Sequence, residues 1–290
     1  MGLHNVGVRG ERFEVLFSRL TGGLTSYRFG RTANGGNELL RGVVRPCFWH
    51  APTANERGYG GPFEEGAWSL ATRYPRPVRG QEYPRVERDD DSVTVTFDYE
   101  LAGLPGAACS MSYRVAGDGT VEVTQVLERP EDAPDLPEFG ALIEVPGELD
   151  QLRWYGEGPE ECYVDRRSGA RLGVYSGAVA DQLAPYLNPQ ESGSRTGVRW
   201  AEVTDARGRG LRIECEPGSP MEFSALPWTP FEIEEAGHAY ELPRSARTVL
   251  RPALMRRGVG GDNSWGARTH PEHCLPAGRL EFRYSFRGVL

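Results

Sequence analysis

Apolar and polar side chains alternate along this chain with period two rather than 3.6. Phe13, Val15 and Phe17 alternate with Glu14 and Ser18, Thr21-Gly22-Gly23 supplies a turn, and residues 24–29 read as the return strand of a hairpin. Val93, Val95, Phe97, Tyr99 and Leu101 share one face, with Thr94, Thr96, Asp98 and Glu100 on the other. That is the pattern of a sheet with one dry side. Cys109, Met111, Tyr113 and Val115 repeat it, Gly117-Asp118-Gly119 turns, and Val121, Val123 and Gln125 carry the chain back, which predicts a β-meander. Further strands are predicted at 139–145, 198–204, 211–216, 221–226 and 248–254. The most regular sets Leu280, Phe282, Tyr284 and Phe286 against Arg279, Glu281, Arg283, Ser285 and Arg287. Only 64–72 has the spacing of a short helix, and Pro75, Pro77 and Pro84 keep the next stretch extended. Many closely spaced strands with almost no helix predict an all-β fold of stacked antiparallel sheets.

At 290 residues the chain exceeds the usual domain of about 100–150, but all-β sandwiches reach roughly 200–250 as single units. The proline-rich stretch 130–137 reads as a surface loop rather than a linker, because a strand resumes at once. Residues 1–290 are therefore expected to form one domain. A net charge of −8 and a pI near 5.3 make the average surface repel phosphate, which argues against nucleic acid and anionic membranes as partners. No apolar run approaches the roughly 18 residues of a membrane span. Met1-Gly2-Leu3-His4-Asn5 lacks a basic or apolar leader, so the chain is expected to be cytoplasmic. Cys47, Cys109, Cys162, Cys215 and Cys274 stand singly and read as reduced thiols. His270 and His273 precede Cys274, but Pro271 interrupts them and no second cluster completes a metal site.

Four segments break the strand pattern. Residues 45–61 combine two prolines and three glycines with the Phe48-Trp49 pair, as in irregular backbone pinned by aromatic anchors. Residues 154–167 and 185–193 gather aromatics, carboxylates and amides, the composition either of a cleft for a polar ligand or of a well-pinned structural loop. In Gly258-Val259-Gly260-Gly261-Asp262-Asn263-Ser264-Trp265-Gly266-Ala267, glycines allow close approach while Asp262, Asn263 and Ser264 can bond their own backbone. A loop so stiffened can hold out an indole to stack on the C–H face of a sugar. The same tryptophan also reads as a core plug beside a tight turn.

Phe48-Trp49-His50-Ala51-Pro52-Thr53, the run from Trp154 to Arg166, Asn188-Pro189-Gln190-Glu191-Ser192-Gly193 with Val198-Arg199-Trp200 behind it, and the Asp262-Asn263-Ser264-Trp265-Gly266 core occur in order. Together they resemble the carboxy-terminal β-sandwich domain of the large bacterial β-galactosidases of glycoside hydrolase family 2, which in some of these enzymes is a separate small chain. The resemblance runs from about residue 6 to residue 286. It implies the large antiparallel two-sheet sandwich, or supersandwich, shared with galactose mutarotases. It also implies that Trp265 reaches into the pocket of a neighbouring barrel domain as a platform for the sugar. Residues 58–67 resemble a mobile loop beside that pocket, which makes Asn55, Glu56, Arg57 and Gly58 candidates for its rim.

Retaining hydrolysis needs two carboxyl groups about 5–5.5 Å apart. In the family both are on the barrel, and Glu157, Glu160 and Glu161 match loop positions without that role. The resemblance thus implies no catalytic residue and no cofactor in this chain, any Mg2+ or Na+ of the complete enzyme belonging to other domains. Its partners would be the barrel domain or large subunit and a galactoside, with lactose hydrolysed only by the complete enzyme. An exposed apolar docking patch is expected, able to drive oligomerisation when the barrel is absent. Two alternatives stand beside this reading: an aldose 1-epimerase, and a non-catalytic carbohydrate-binding module. The epimerase needs a histidine and a glutamate as acid and base, and His4, His50, His238, His270 and His273 fall in no such pattern. The chain departs from the family at His50, where arginine is common, at Ala54 and Glu56, where aspartates are usual, and at Glu160 and Cys162, where histidine and asparagine are frequent. These departures are expected to alter hydrogen bonds at the rim.

Overall fold

The computed structural model describes residues 5–30, 36–79, 83–263 and 265–290; His4 and Ser264 lie outside the described residues. Among the described residues, strands numbered along the chain form three antiparallel sheets. The predicted hairpin is β2 (Phe13–Ser18) and β3 (Gly23–Phe29), flanked by β1 (Asn5–Arg9) and β4 (Asn37–Glu38). Gly22, at φ +65°, makes its turn.

A second sheet joins β5 (Arg45–Cys47), β11 (Glu138–Pro146), β14 (Arg195–Val198), β17 (Met221–Leu226) and β18 (Arg247–Arg256) in the order β14-β17-β18-β11-β5. The third holds β6 (Arg76–Pro77), β7 (Arg85–Arg88), β8 (Ser92–Glu100), β9 (Ala108–Ala116) and β10 (Val121–Arg129). It continues through β12 (Gln151–Gly158), β13 (Arg171–Ala178), β15 (Trp200–Thr204), β16 (Gly210–Cys215) and β19 (Gly278–Val289). Its order is β13-β12-β15-β16-β19-β10-β9-β8-β6, with β7 also on β8.

These three sheets make two layers. The Val44 and Arg41 amides donate to Leu24 and Glu144 carbonyls, both at 2.8 Å, sewing the two smaller sheets into one face opposite the broad one. Phe17 packs its ring 5.4 Å from Tyr113, and Tyr27 meets Phe286 edge-on at 5.5 Å. The Tyr99 and Tyr27 hydroxyls donate across the layers to the Gly22 and Gly119 carbonyls at 2.7 Å, so these two buried phenols are satisfied. In the meander, Val123 lies opposite both Tyr113 and Tyr284, the register that the alternating pattern demands.

The second sheet is covered on both faces. Phe139, Ala141, Ile143 and Val145 of β11 enter the main core, while Glu138 on the other face is also fully buried. Helices α1 (Ala54–Tyr59), α2 (Gly61–Glu64), α3 (Gly66–Arg73) and α4 (Pro230–Glu235), with the loops between them, accompany that outer face. None of the described helices is long and apolar enough to cross a membrane.

Four sequence expectations change. The 45–61 stretch is not all irregular, because it contains β5 and α1. The helix expected at 64–72 is α3, preceded by α2, and α4 is added. Trp154–Gly158 lies within β12, paired with β13 and β15, rather than in a loop. The strand expected at 198–204 divides at Arg199, where the chain passes from the second sheet to the third, beside Gly197 at φ +59°.

Candidate functional site

All four unusual segments meet over the outer face of the second sheet. They enclose a cleft with a volume of about 520 Å³, walled by Asn55 at the start of α1, by Arg166, by Tyr186 and Gln190, and by residues 259–263. The loops are locked to one another: Arg166 pairs with Glu161, which accepts from the Tyr186 hydroxyl at 2.8 Å and the Gly193 amide at 2.7 Å. Tyr163 and Glu191 form the buried floor.

Beside the cleft stands the glycine-bounded finger, with the Trp265 side chain 87% exposed. Asn263 Oδ1 accepts from the Trp265 amide at 2.8 Å and the Ala267 amide at 3.3 Å, so the tip is fixed by its own side chain. One leg lies against α1. A Cβ on Gly266, at φ +93°, would fall 2.5 Å from the Gly58 carbonyl carbon, and Asn55 Nδ2 donates to the Ala267 carbonyl at 2.7 Å. On the other leg, Gly260 donates to Asp165 Oδ2 at 2.7 Å, and Thr269 Oγ1 bonds the Gly258 carbonyl at 2.8 Å. Arg268 grips Glu64 of α2 at 2.6 Å and covers the Tyr59 ring at 4.8 Å.

Arg257, at the root of the finger, is buried. Its guanidinium meets Glu65 at 2.6 and 2.8 Å and Glu56 at 2.6 Å. Glu56 also closes the capping box with Thr53 and faces His50 Nε2 at 2.8 Å. Burial alone would depress the His50 imidazolium, but the Glu56 carboxylate outweighs it and the pKa lies above the usual value. Burial would likewise raise Glu56, yet His50 and Arg257 hold it well below the carboxylate range. His50 and Glu56, two of the positions expected from the resemblance to alter rim contacts, therefore meet each other.

Under the cleft, Glu138, Glu191 and Glu222 share Arg251 and Arg256. Glu138 contacts both guanidiniums and, despite complete burial, stays below its usual pKa. Glu222 has a weaker pairing, 3.7 Å from Arg256 Nη1, and burial pushes it up to about 8.

The structure thus brings Trp265, Asn55 and Gly58 together around the finger. Glu56 departs from the rim expectation: the residue is 2% exposed and its side chain points inward to His50 and Arg257. Arg57 is exposed but turns back to the Pro52 carbonyl at 3.3 Å. Cys162 is also inside, its thiol 3.1 Å from Thr196 Oγ1, so His50, Glu56 and Cys162 make buried contacts and not rim contacts. The core-plug alternative for Trp265 does not fit its exposure. None of the described histidines lines the cleft, and its floor carboxylate Glu191 is bound to Arg251 at 2.9 Å, which leaves the epimerase reading without an acid–base pair there. Among the described residues no group of three His, Cys, Asp or Glu side chains could hold a metal ion. Sequence reasoning missed Asp165 and Arg257, whose partners are distant along the chain; the capping box Thr53-x-x-Glu56 was the visible signal for α1.

A family model described as beta galactosidase small chain matches residues 9–287. The chain is 38% identical to a β-galactosidase of Halalkalibacterium halodurans, over 98% of its own length and 28% of that protein's. A β-galactosidase of Bifidobacterium adolescentis is 40% identical over 96% of this chain and 26% of its own. The chain therefore spans about a quarter of the length of these curated relatives. It is 30% identical to a β-galactosidase small subunit of Latilactobacillus sakei, over 97% of this chain and 95% of that one. Among solved structures, a galactose mutarotase related enzyme of Lactobacillus acidophilus overlays with a TM-score of 0.52 at 9% identity, covering 99% of this chain and 97% of that one. At that identity the likeness speaks for the fold alone.

Proposed function

The chain belongs to the beta galactosidase small chain family, and from that premise we propose that it completes the galactoside pocket of a separate catalytic barrel by presenting Trp265 to the sugar. The observation that carries this reading is an indole 87% exposed on a loop clamped at both legs. Such a ring offers broad apolar area at little entropic cost and keeps its N–H free for a hydroxyl. Phe63 of α2, 93% exposed and next in sequence to the Glu64 that Arg268 grips, is a second large apolar side chain for a barrel to cover.

On this reading the two catalytic carboxyl groups come from the partner, and the chain alone does not hydrolyse lactose. Its binding energy goes to substrate and transition state alike, so the indole acts on KM more than on kcat. We read residues 1–290 as one domain acting in the cytoplasm. A core cluster drawn from all three sheets supports the first, and five unpaired cysteines support the second. Mixing the purified chain with the barrel-bearing subunit and assaying β-galactoside hydrolysis tests the proposal. Activity should appear only in the mixture. A folded chain that neither associates with nor activates the barrel would overturn it, while sugar binding without activation would favour a carbohydrate-binding module.

A further inference from the structure

The geometry points to Asp165 as a positioning residue that sets where Trp265 stands, an inference that rests on the reading of Trp265 as the sugar platform. Asp165 sits on the tight turn Tyr163–Arg166, closed by the Arg166 amide on the Tyr163 carbonyl at 2.9 Å. That turn belongs to the β12–β13 connection and is itself held by the pair of Arg166 with Glu161. From this fixed base the carboxylate reaches 95 residues along the chain to accept the Gly260 amide at 2.7 Å.

The finger is shaped to receive it. A Cβ on Gly258 would lie 2.7 Å from both Asp165 Cγ and Oδ2, so glycine there is the space the carboxylate occupies. The second oxygen, Oδ1, is buried with no hydrogen-bond partner. An ionisable side chain holding one loop amide while its other oxygen goes unsatisfied is a poor stabiliser of the fold, because an unmet buried acceptor opposes folding. As a strut it makes sense. Asn55 fixes the Ala267 leg to α1, Asp165 fixes the Gly260 leg to the opposite wall of the cleft, and Trp265 lies between the two anchors. With either leg loose, the indole would sample many positions and the sugar would have to select the productive one, which lowers apparent affinity without touching the chemical step.

The test uses the chain combined with its barrel-bearing partner. Asp165→Ala should raise KM for a β-galactoside about fivefold with kcat within about twofold. Asp165→Asn, which keeps an acceptor oxygen, should recover most of the loss. In a Trp265→Ala background, Asp165→Ala should add nothing, because a strut has no effect once its load is gone. In the chain alone, the amides of Gly260 and Gly261 should exchange with solvent about tenfold faster in Asp165→Ala while β18 and β19 stay protected. Full additivity of the two substitutions, a loss confined to kcat, or unchanged exchange at Gly260 would each overturn the inference. If Trp265→Ala itself leaves KM unchanged, the platform reading falls, and the exchange measurement alone then decides whether Asp165 holds the finger.

Discussion

Glu222→Gln replaces a buried carboxyl with a side chain of the same shape that cannot ionise. Three carboxylates, Glu138, Glu191 and Glu222, share the guanidiniums of Arg251 and Arg256 beneath the cleft, so full ionisation would leave an excess negative charge in a dry interior. Glu222 is the member that keeps its proton, since burial raises it from 4.5 to about 8 while Arg256 only partly opposes the rise. Between those values the unfolded chain has released this proton and the native chain still holds it, so native stability falls as pH rises. At about 1.4 kcal/mol per pH unit, the interval from about pH 5.5 to 8 corresponds to about 3 kcal/mol.

His50, whose pKa is also raised, contributes stability that is present at low pH and lost as pH rises through its folded value. It pulls in the same direction, so the informative quantity is the difference between wild type and variant, both of which retain His50. Urea unfolding followed by circular dichroism at several pH values gives that difference. The two proteins should be nearly equal below about pH 4, and the variant should gain about 3 kcal/mol on wild type between about pH 5.5 and 8.5. A difference that is flat with pH would refute the assignment of the proton to Glu222.

Three other outcomes follow from the contacts. Arg257→Gln leaves Glu56 and Glu65 facing each other in a buried site, and should cost about 3–5 kcal/mol in the same unfolding assay. Gly266→Ala forces a methyl group against the Gly58 and Tyr59 backbone at positive φ. It should destabilise the chain by about 1–3 kcal/mol by thermal melting and loosen the finger in hydrogen exchange. Trp265→Ala removes a side chain that is 87% exposed, so its melting curve should match wild type to within about 0.5 kcal/mol.

The strands whose alternation is clearest in the sequence are those with one wet face. β8, β9, β10 and β19 keep polar or charged side chains outside and mostly aliphatic or aromatic ones inside, so period two survives intact. β12 was hidden because Gly156 and Gly158 read as loop residues. In the fold Gly156 has no room for a side chain, its Cβ position lying 2.8 Å from the Val198 side chain of β14. β17 and β11 were read as strands too, but they are buried on both faces and carry Glu222 and Glu138 inside, where a sequence pattern expects apolar residues.

At the site, the finger and Trp265 were legible because glycines and short polar residues announce a stiff loop. Its anchors were not. Asp165 lies 95 residues from Gly260, and Glu65 192 residues from Arg257, distances at which local pattern says nothing about contact. The inward turn of Glu56 was likewise hidden, because helix α1 and its buried partners decide which way that carboxylate points.

The most direct measurement is the steady-state kinetics of Trp265→Ala in the reconstituted enzyme, the chain mixed with its barrel subunit, on a simple β-galactoside. KM should rise by about tenfold or more with kcat changed far less. An unchanged KM in a variant that still assembles and melts like wild type would contradict it.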